Sequence, residues 1–401
     1  MELITFLDSL LNLGSDWEVN RVEVVEDDVF IHVDYKRKFW VDTKTGESLS
    51  IYDLREERAW RHLGLLQYKT WIVCRVPRVK DSNKVRTIDT PWAKDLDPHT
   101  IWFEAWVIAI LLATKNQTKT AILLRMGFNQ VNRILHRAVQ RGLAVRKLDG
   151  IEDLSIDEKS FRRGHYYVTI LSDPENGRVL NVTENRTKEA ALEAFTSTFN
   201  LSQLDQIKTI SVDMWKASMN AGLTACPNAV LCHDKFHLIQ HMNKAVDQVR
   251  RQETKTTEDL KGTRYIWLKD HASLTDYQRE KYQAIKDINY QTAIAWRIKE
   301  NLRDCIPLCG EKSAIAFLQW LGEAKQSKLK PVIKVAEMFT QHLHGIINDL
   351  IKNKSNAMAE RLNGKIQEIK LSAKGYRTFE KFKSAILFFN GKLDLIPQGS
   401  W

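Results

Sequence analysis

The sequence predicts a multidomain α/β protein: a mixed sheet interrupted by a large helical insertion and preceded by a small β-rich module and a pair of helices. Three observations predict this class. At 401 residues the chain is too long for one ordinary core. Its apolar pattern alternates over 21–90 and switches near residue 100 to a helical period. Between 151 and 237 the segments read β-β-β-α-β-α-β, and from 238 to about 350 nearly everything is helical.

The alternation runs through RVEVVEDDVFIHVDY, through KFWVDTKTGES with a turn at Thr45-Gly46, and through KTWIVCRVPRV, after which Pro91 and Pro98 close the module. TIWFEAWVIAILLAT then reads as a helix behind a Thr cap. QTKTAILLRM and QVNRILHRAVQRGL read as two more, separated by Gly127-Phe128-Asn129. From pattern alone these read equally as a helix-turn-helix or as a helical linker with a solvated basic face. IEDLSIDEKSF, HYYVTILSD and GRVLNVTE are three strands, KEAALEAFTSTF a helix, and DQIKTISVDMW and NAVLCHDKFH two further strands. That order is the one of the RNase H-like fold. The helical insertion includes YQAIKDINYQTAIAWRIKENLRD and KSAIAFLQWLGEAKQS, and a last helix, SNAMAERLNGKIQEIK, precedes GYRTFEKFKSAILFF. The expected division is 1–98, 99–148, 149–240, 241–345 and 346–401.

Composition narrows the function classes. The net charge of +10 favours polyanionic partners, nucleic acid foremost. Residues 105–150 carry eight Lys/Arg against the single acid Asp149, whereas residues 1–100 are slightly acidic. Lys119, Arg125, Arg133, Arg137 and Arg141 are therefore candidate DNA contacts, and Lys365 and Lys370 join them on the last helix. The five cysteines form no C-x-x-C pair and read as reduced thiols of a cytoplasmic protein. No apolar run approaches membrane-spanning length.

Phosphoryl transfer with two metals needs carboxylates on rigid elements. Asp157 lies within the strand LSID and Asp213 ends the strand ISVD, so the two point the same way from central strands. Glu360 on the last long helix is the best-placed third acid, with Glu368 two turns on as its structural competitor. Mg²⁺ suits such oxygen ligands, and Mn²⁺ would substitute. Cys232, His233, His237 and His241 do not read as a zinc cage, because the strand AVLC breaks their helical face and no second Cys is near.

Four blocks carry a family resemblance: SIDEKSFRRGHYYVTILSD, SVDMWKASMNAG, CPNAVLCHDKFHLIQHMNKAV and KSNAMAERLNGKIQEIKLSAKGYRTFEKF. In this order they resemble the bacterial insertion-sequence transposases of the ISL-three family. The resemblance implies a DDE centre on Asp157, Asp213 and Glu360, with the same three as metal ligands. It also implies an RNase H-like core broken by a helical insertion. Asp234 and His237 would be site neighbours; Arg162, Gly164 and His165 match a stretch after the first acid, and Asn356 and Asn363 flank the last. The implied partner is double-stranded DNA, at the element's terminal inverted repeats and at the target, with a homo-oligomer assembling on it.

Relatives in that family usually begin with a zinc ribbon, which here would fall at Asp42–Gly46 and Asp81–Lys84 without a Cys or His. The expectation is a degenerate zinc-ribbon-like module with no structural zinc, an ion pair between Asp42 and Lys84, and packing by Trp40, Trp60, Trp71 and Trp92. The functional expectation is a transposase that binds element ends and cuts and joins strands. A catalytically inactive or domesticated DNA-binding regulator is the contrary reading. A nonspecific nuclease is a third, disfavoured by the N-terminal DNA-reading region.

Overall fold

The computed structural model describes residues 3–42, 45–81, 84–94, 97–162, 164, 166–269, 273–285, 290–308, 310–352 and 357–400. His165 and Asn356 lie outside the described residues. The chain forms two units, one of residues 1–146 with 393–401, the other of residues 147–392. The β-rich module and the basic helices thus share one unit, together with the last nine residues.

In the first unit, α1 (Leu3–Leu11) is followed by eight strands: β1 (Trp17–Val25), β2 (Asp28–Tyr35), β3 (Phe39–Val41), β4 (Ser48–Leu54), β5 (Arg58–Leu65), β6 (Tyr68–Cys74), β7 (Pro77–Asp81) and β8 (Lys84–Thr87). They form two four-stranded sheets, β1-β2-β6-β5 and β3-β4-β7-β8. The first alternating run is a hairpin whose turn needs no glycine, because Glu26 itself adopts φ +51°. Trp60 and Trp92 are fully buried and meet edge to face at 5.7 Å, and Trp17 joins them at 4.7 Å from Trp92. Where the ribbon's metal would lie, the buried Asp42 pairs with Arg86 at 2.6 Å, and the guanidinium lies 4.9 Å from the Trp40 ring centre. The ion pair is real, but its cation is Arg86 rather than Lys84.

Three helices follow: α2 (Ile101–Thr114), α3 (Gln117–Leu123) and α4 (Phe128–Val145). Thr100 caps α2, its hydroxyl accepting from Phe103 N at 3.2 Å. Glu104, the one acid of α2, is buried. It accepts from Arg137 at 2.6 Å and Arg141 at 2.9 Å, while Arg137 also reaches Asp97 at 2.8 Å and Arg141 donates to Leu395 O at 2.7 Å. Arg137 and Arg141 therefore hold α4 to α2 and to the C-terminal tail. Arg133 and Lys119 are exposed, as is Arg125, which donates to Gln67 O at 3.4 Å.

The second unit contains β9 (Asp153–Arg162), β10 (Tyr166–Asp173), β11 (Arg178–Glu184), α5 (Lys188–Thr196), α6 (Leu201–Asp205), β12 (Thr209–Val212), α7 (Lys216–Ala225) and β13 (Val230–Cys232). One sheet results, in the order β11-β10-β9-β12-β13. β11, β10 and β9 pair antiparallel; β12 runs parallel to both β9 and β13. Leu154, Ile156, Leu171, Leu180, Ile210 and Val212 pack on Phe195 and Ala221 of the covering helices. HDKFH is not strand: Asp234 caps α8 (Lys235–Glu253), accepting from Phe236 N at 2.8 Å.

The remaining helices are α9 (Arg264–Leu268), α10 (Asp276–Ile285), α11 (Gln291–Cys305), α12 (Gly310–Gln326), α13 (Lys330–Gln341), α14 (Leu343–Lys352), α15 (Ala357–Ser372) and α16 (Phe379–Asn390). α8 to α14 share a core around Trp267, Phe317, Trp320 and Phe339. It joins the sheet where Gly345 of α14 lies against His233: a Cβ there would stand 2.5 Å from the imidazole, and His233 N donates to Gly345 O at 3.1 Å. The chain is mixed α/β, and among the described residues no helix is long and apolar enough to cross a membrane.

Candidate active site

The parallel pairing of β9 and β12 sets the first two acids side by side. Val212 lies opposite Ile156, so Asp213 follows at the level of Asp157. Glu360 comes from the first turn of α15. All three line one cavity of about 490 Å³ in the second unit, with Asp234 and His237 from the start of α8. The structure thus brings together acids separated by 147 residues in sequence (213 to 360). Glu368 is not in the lining.

Each acid has distinct partners. Asp157 Oδ2 accepts from Asn363 Nδ2 at 2.7 Å and from Lys159 Nζ at 2.8 Å, and its Oδ1 accepts from Glu158 N at 2.7 Å. Asp213 Oδ1 accepts from Met214 N at 2.7 Å, while its Oδ2 faces His237 Nδ1 at 3.7 Å. Burial and the charge of Asp234 hold the Glu360 carboxyl above the usual range, and His237 opposes this. An oxygen-rich donor set fits a hard divalent cation, and the Lys159 ammonium already takes a cation's place beside Asp157. Among the described residues, no three His, Cys, Asp or Glu groups stand close enough to share an ion as they are.

Sequence reasoning missed several lining groups. Glu158 is half-buried, accepts a hydrogen bond from the Ser218 hydroxyl, and has its carboxyl pushed up by desolvation and by the charges of Asp157 and Asp213. Arg186 reaches the cavity with its guanidinium 4.0 Å from the Tyr167 ring centre. The adjacency Asp157-Glu158-Lys159 was the available signal for the first. Arg162 and Gly164, by contrast, belong to the β9–β10 hairpin: Arg162 lies 3.7 Å from the Tyr166 ring centre and Gly164 has φ +92°. Lys370 donates to Ser160 O at 2.6 Å, tying α15 to β9, and Lys365 is exposed. His233 is buried with Nδ1 3.0 Å from Val212 O, so it braces β12 rather than the cavity.

Residues 154–386 match the model of a family described as transposase, the DDE transposases of ISL3 type. Its members are DNA transposases, polynucleotidyl transferases that generally work with divalent metal ions. The match spans more than half of the chain and contains every acid of the cavity, and the chain belongs to this family. It is similar to the transposase for insertion sequence element IS1557 of Mycobacterium tuberculosis, 24% identical over 366 residues, covering 84% of this chain and 82% of the relative. It is also similar to the transposase for IS1001 of Bordetella parapertussis, 24% identical over 284 residues, covering 68% and 69% respectively.

Proposed function

We propose that this transposase binds the terminal inverted repeats of an insertion sequence and cuts and joins DNA strands at the cavity, with Asp157, Asp213 and Glu360 holding Mg²⁺. The observation that carries this reading is the meeting of these acids from two neighbouring parallel strands and a distant helix. The sheet order β11-β10-β9-β12-β13, with its three antiparallel strands followed by two parallel ones, supports an RNase H-like core interrupted by the helices from α8 to α14.

Bound divalent ions would activate the attacking oxygen and stabilise the leaving one. The protein's own groups prepare that centre. Asn363 orients Asp157 from α15, and Lys159 neutralises it until the ligand charge arrives. Backbone N–H groups fix one oxygen each of Asp157 and Asp213, while the other oxygen of Asp157 is held by Asn363 and Lys159 and that of Asp213 faces His237. The reaction read from this arrangement is hydrolysis that frees a 3′-OH, then in-line attack of that hydroxyl on target DNA. We place end recognition in the basic helices, with α3 and α4 as a helix-turn-helix and Arg133 and Lys119 as its free cations, beside a ribbon-like β-module. Assembly as a homo-oligomer on DNA belongs to the same reading.

The test is replacement of each acid by its amide. Asp157→Asn, Asp213→Asn and Glu360→Gln should keep DNA binding and lose cleavage of the flanking terminal DNA, by about the same factor singly and in pairs, because groups acting as one unit are not additive. Asp234→Asn preserves the α8 cap, since Asn caps as well as Asp, and should keep measurable activity. Unmodified protein that binds its ends but never cuts them in Mg²⁺ or Mn²⁺ would make the chain a regulator.

A further inference from the structure

The cavity carries aromatic side chains that the cleavage chemistry does not use. Trp215 stands two residues after Asp213 and Phe236 two after Asp234; both line the cavity, yet each is 44% exposed. The indole is not loose: its Nε1 donates to Arg186 O at 3.3 Å, and the Arg186 guanidinium lies 5.2 Å from its ring centre. Trp60, Trp92, Trp267 and Trp320 are by contrast almost completely covered, and exposed aromatics elsewhere, such as Trp106 and Phe128, do not line this cavity. An anchored aromatic left open beside a row of carboxylates is a surface waiting for a π partner.

A DNA substrate supplies one. With a phosphate at the acids, the nearest apolar faces of the ligand are nucleobases, and in an intact duplex those faces are already stacked. A base reaches an aromatic wall beside the scissile phosphate only by leaving its stack, and aromatic platforms hold such bases with little regard to sequence. Arg186, its guanidinium over Tyr167 and next to Trp215, adds a cation able to meet the flanking phosphate.

We propose that Trp215, with Phe236, stacks a nucleobase extruded from the duplex at the cleavage position, so that strand cutting is coupled to local unpairing of the DNA end. This rests on the active-site reading above, and the test separates the two. Binding of the full chain to duplexes of its terminal DNA is measured in Ca²⁺, with single abasic positions walked across the cleavage point, for wild type, Trp215→Ala and Trp215→Phe. Trp215→Ala should weaken binding to the intact end roughly ten- to hundredfold, the range of one base–aromatic stack. At one abasic position the wild type should fall to the same level, and the substitution should then cost nothing further. Trp215→Phe should retain most of the affinity. If the Trp215→Ala loss is the same at every abasic position, or absent, stacking is overturned. Cleavage by the wild type in Mg²⁺ is read separately: cutting without this coupling refutes the stacking alone, and coupling without cutting refutes the catalytic reading alone.

Discussion

Replacing Glu104 by Gln keeps the side chain's shape and removes the charge that holds two arginines. The carboxylate is 6% exposed and accepts at 2.6 Å from Arg137 and 2.9 Å from Arg141. An amide can accept from one guanidinium but presents N–H groups to the other. Losing one partner of a buried pair costs about 3–5 kcal/mol, and a hydrogen bond to a charged group about 1.5–3 kcal/mol. The arginine side chains are 31% and 26% exposed, and Arg137 retains Asp97, so the lower range applies. We expect a loss of about 1.5–3 kcal/mol, or roughly 10- to 160-fold more frequent opening at 1.36 kcal/mol per tenfold. Hydrogen exchange of peptides from α2 and α4 reads this locally, without assuming that the whole chain unfolds in one step. Arg137→Ala should accelerate exchange in the same peptides. If Glu104→Gln leaves them protected as in the wild type while Arg137→Ala lowers DNA affinity, the arginines serve DNA and the internal network has been misjudged.

Arg133→Ala, on an exposed position of α4, should instead weaken binding to terminal DNA by about 1–3 kcal/mol if it reads a base edge, or only reduce the salt dependence if it meets phosphate, with exchange in α4 unchanged. Gly345→Ala pushes a methyl into His233 and should cost about 2–3 kcal/mol, seen as loosening of β13 and α14; Gly322→Ala in α12, where a methyl meets open space, should be neutral or stabilising by up to about 1 kcal/mol. Arg86→Ala should speed exchange in β3, β4 and β8 by removing the guanidinium that the buried Asp42 holds, whereas Lys84→Ala should not; the reverse outcome would restore Lys84 as the partner.

The succession of strands and helices around the acids was legible because the strands are short apolar runs and the helices change the period, patterns that local sequence carries; the order of the strands within the sheet came from the structure. Strand ends alone pointed only weakly to Asp157 and Asp213, and the family resemblance singled them out; the structure sets them side by side on β9 and β12. What was not legible depends on distant partners. A stripe of arginines reads as solvated or DNA-facing until Glu104, 33 residues before Arg137, is known to be buried beneath it. The start of α8 reads as strand because AVLC continues directly into HDKFH, and only the Asp234 cap marks the break. The turn at Glu26 carries no Gly, so one alternating run concealed a hairpin. Asn363 on Asp157 and Ser218 on Glu158 join side chains from different elements, which no spacing rule anticipates.

The tail that Arg141 grips gives the chain an order of completion in time. Leu395 O receives the Arg141 guanidinium, and Gly142 lies so close to Leu393 that a methyl would stand 2.6 Å from its Cβ. Helix α4 is therefore completed by a segment made 254 residues later. Glu360 is likewise made long after both aspartates, so a nascent chain carries neither a closed first unit nor a full set of acids. A fragment from termination between residues 213 and 360 would hold both aspartates without Glu360, and the first unit without its closing segment.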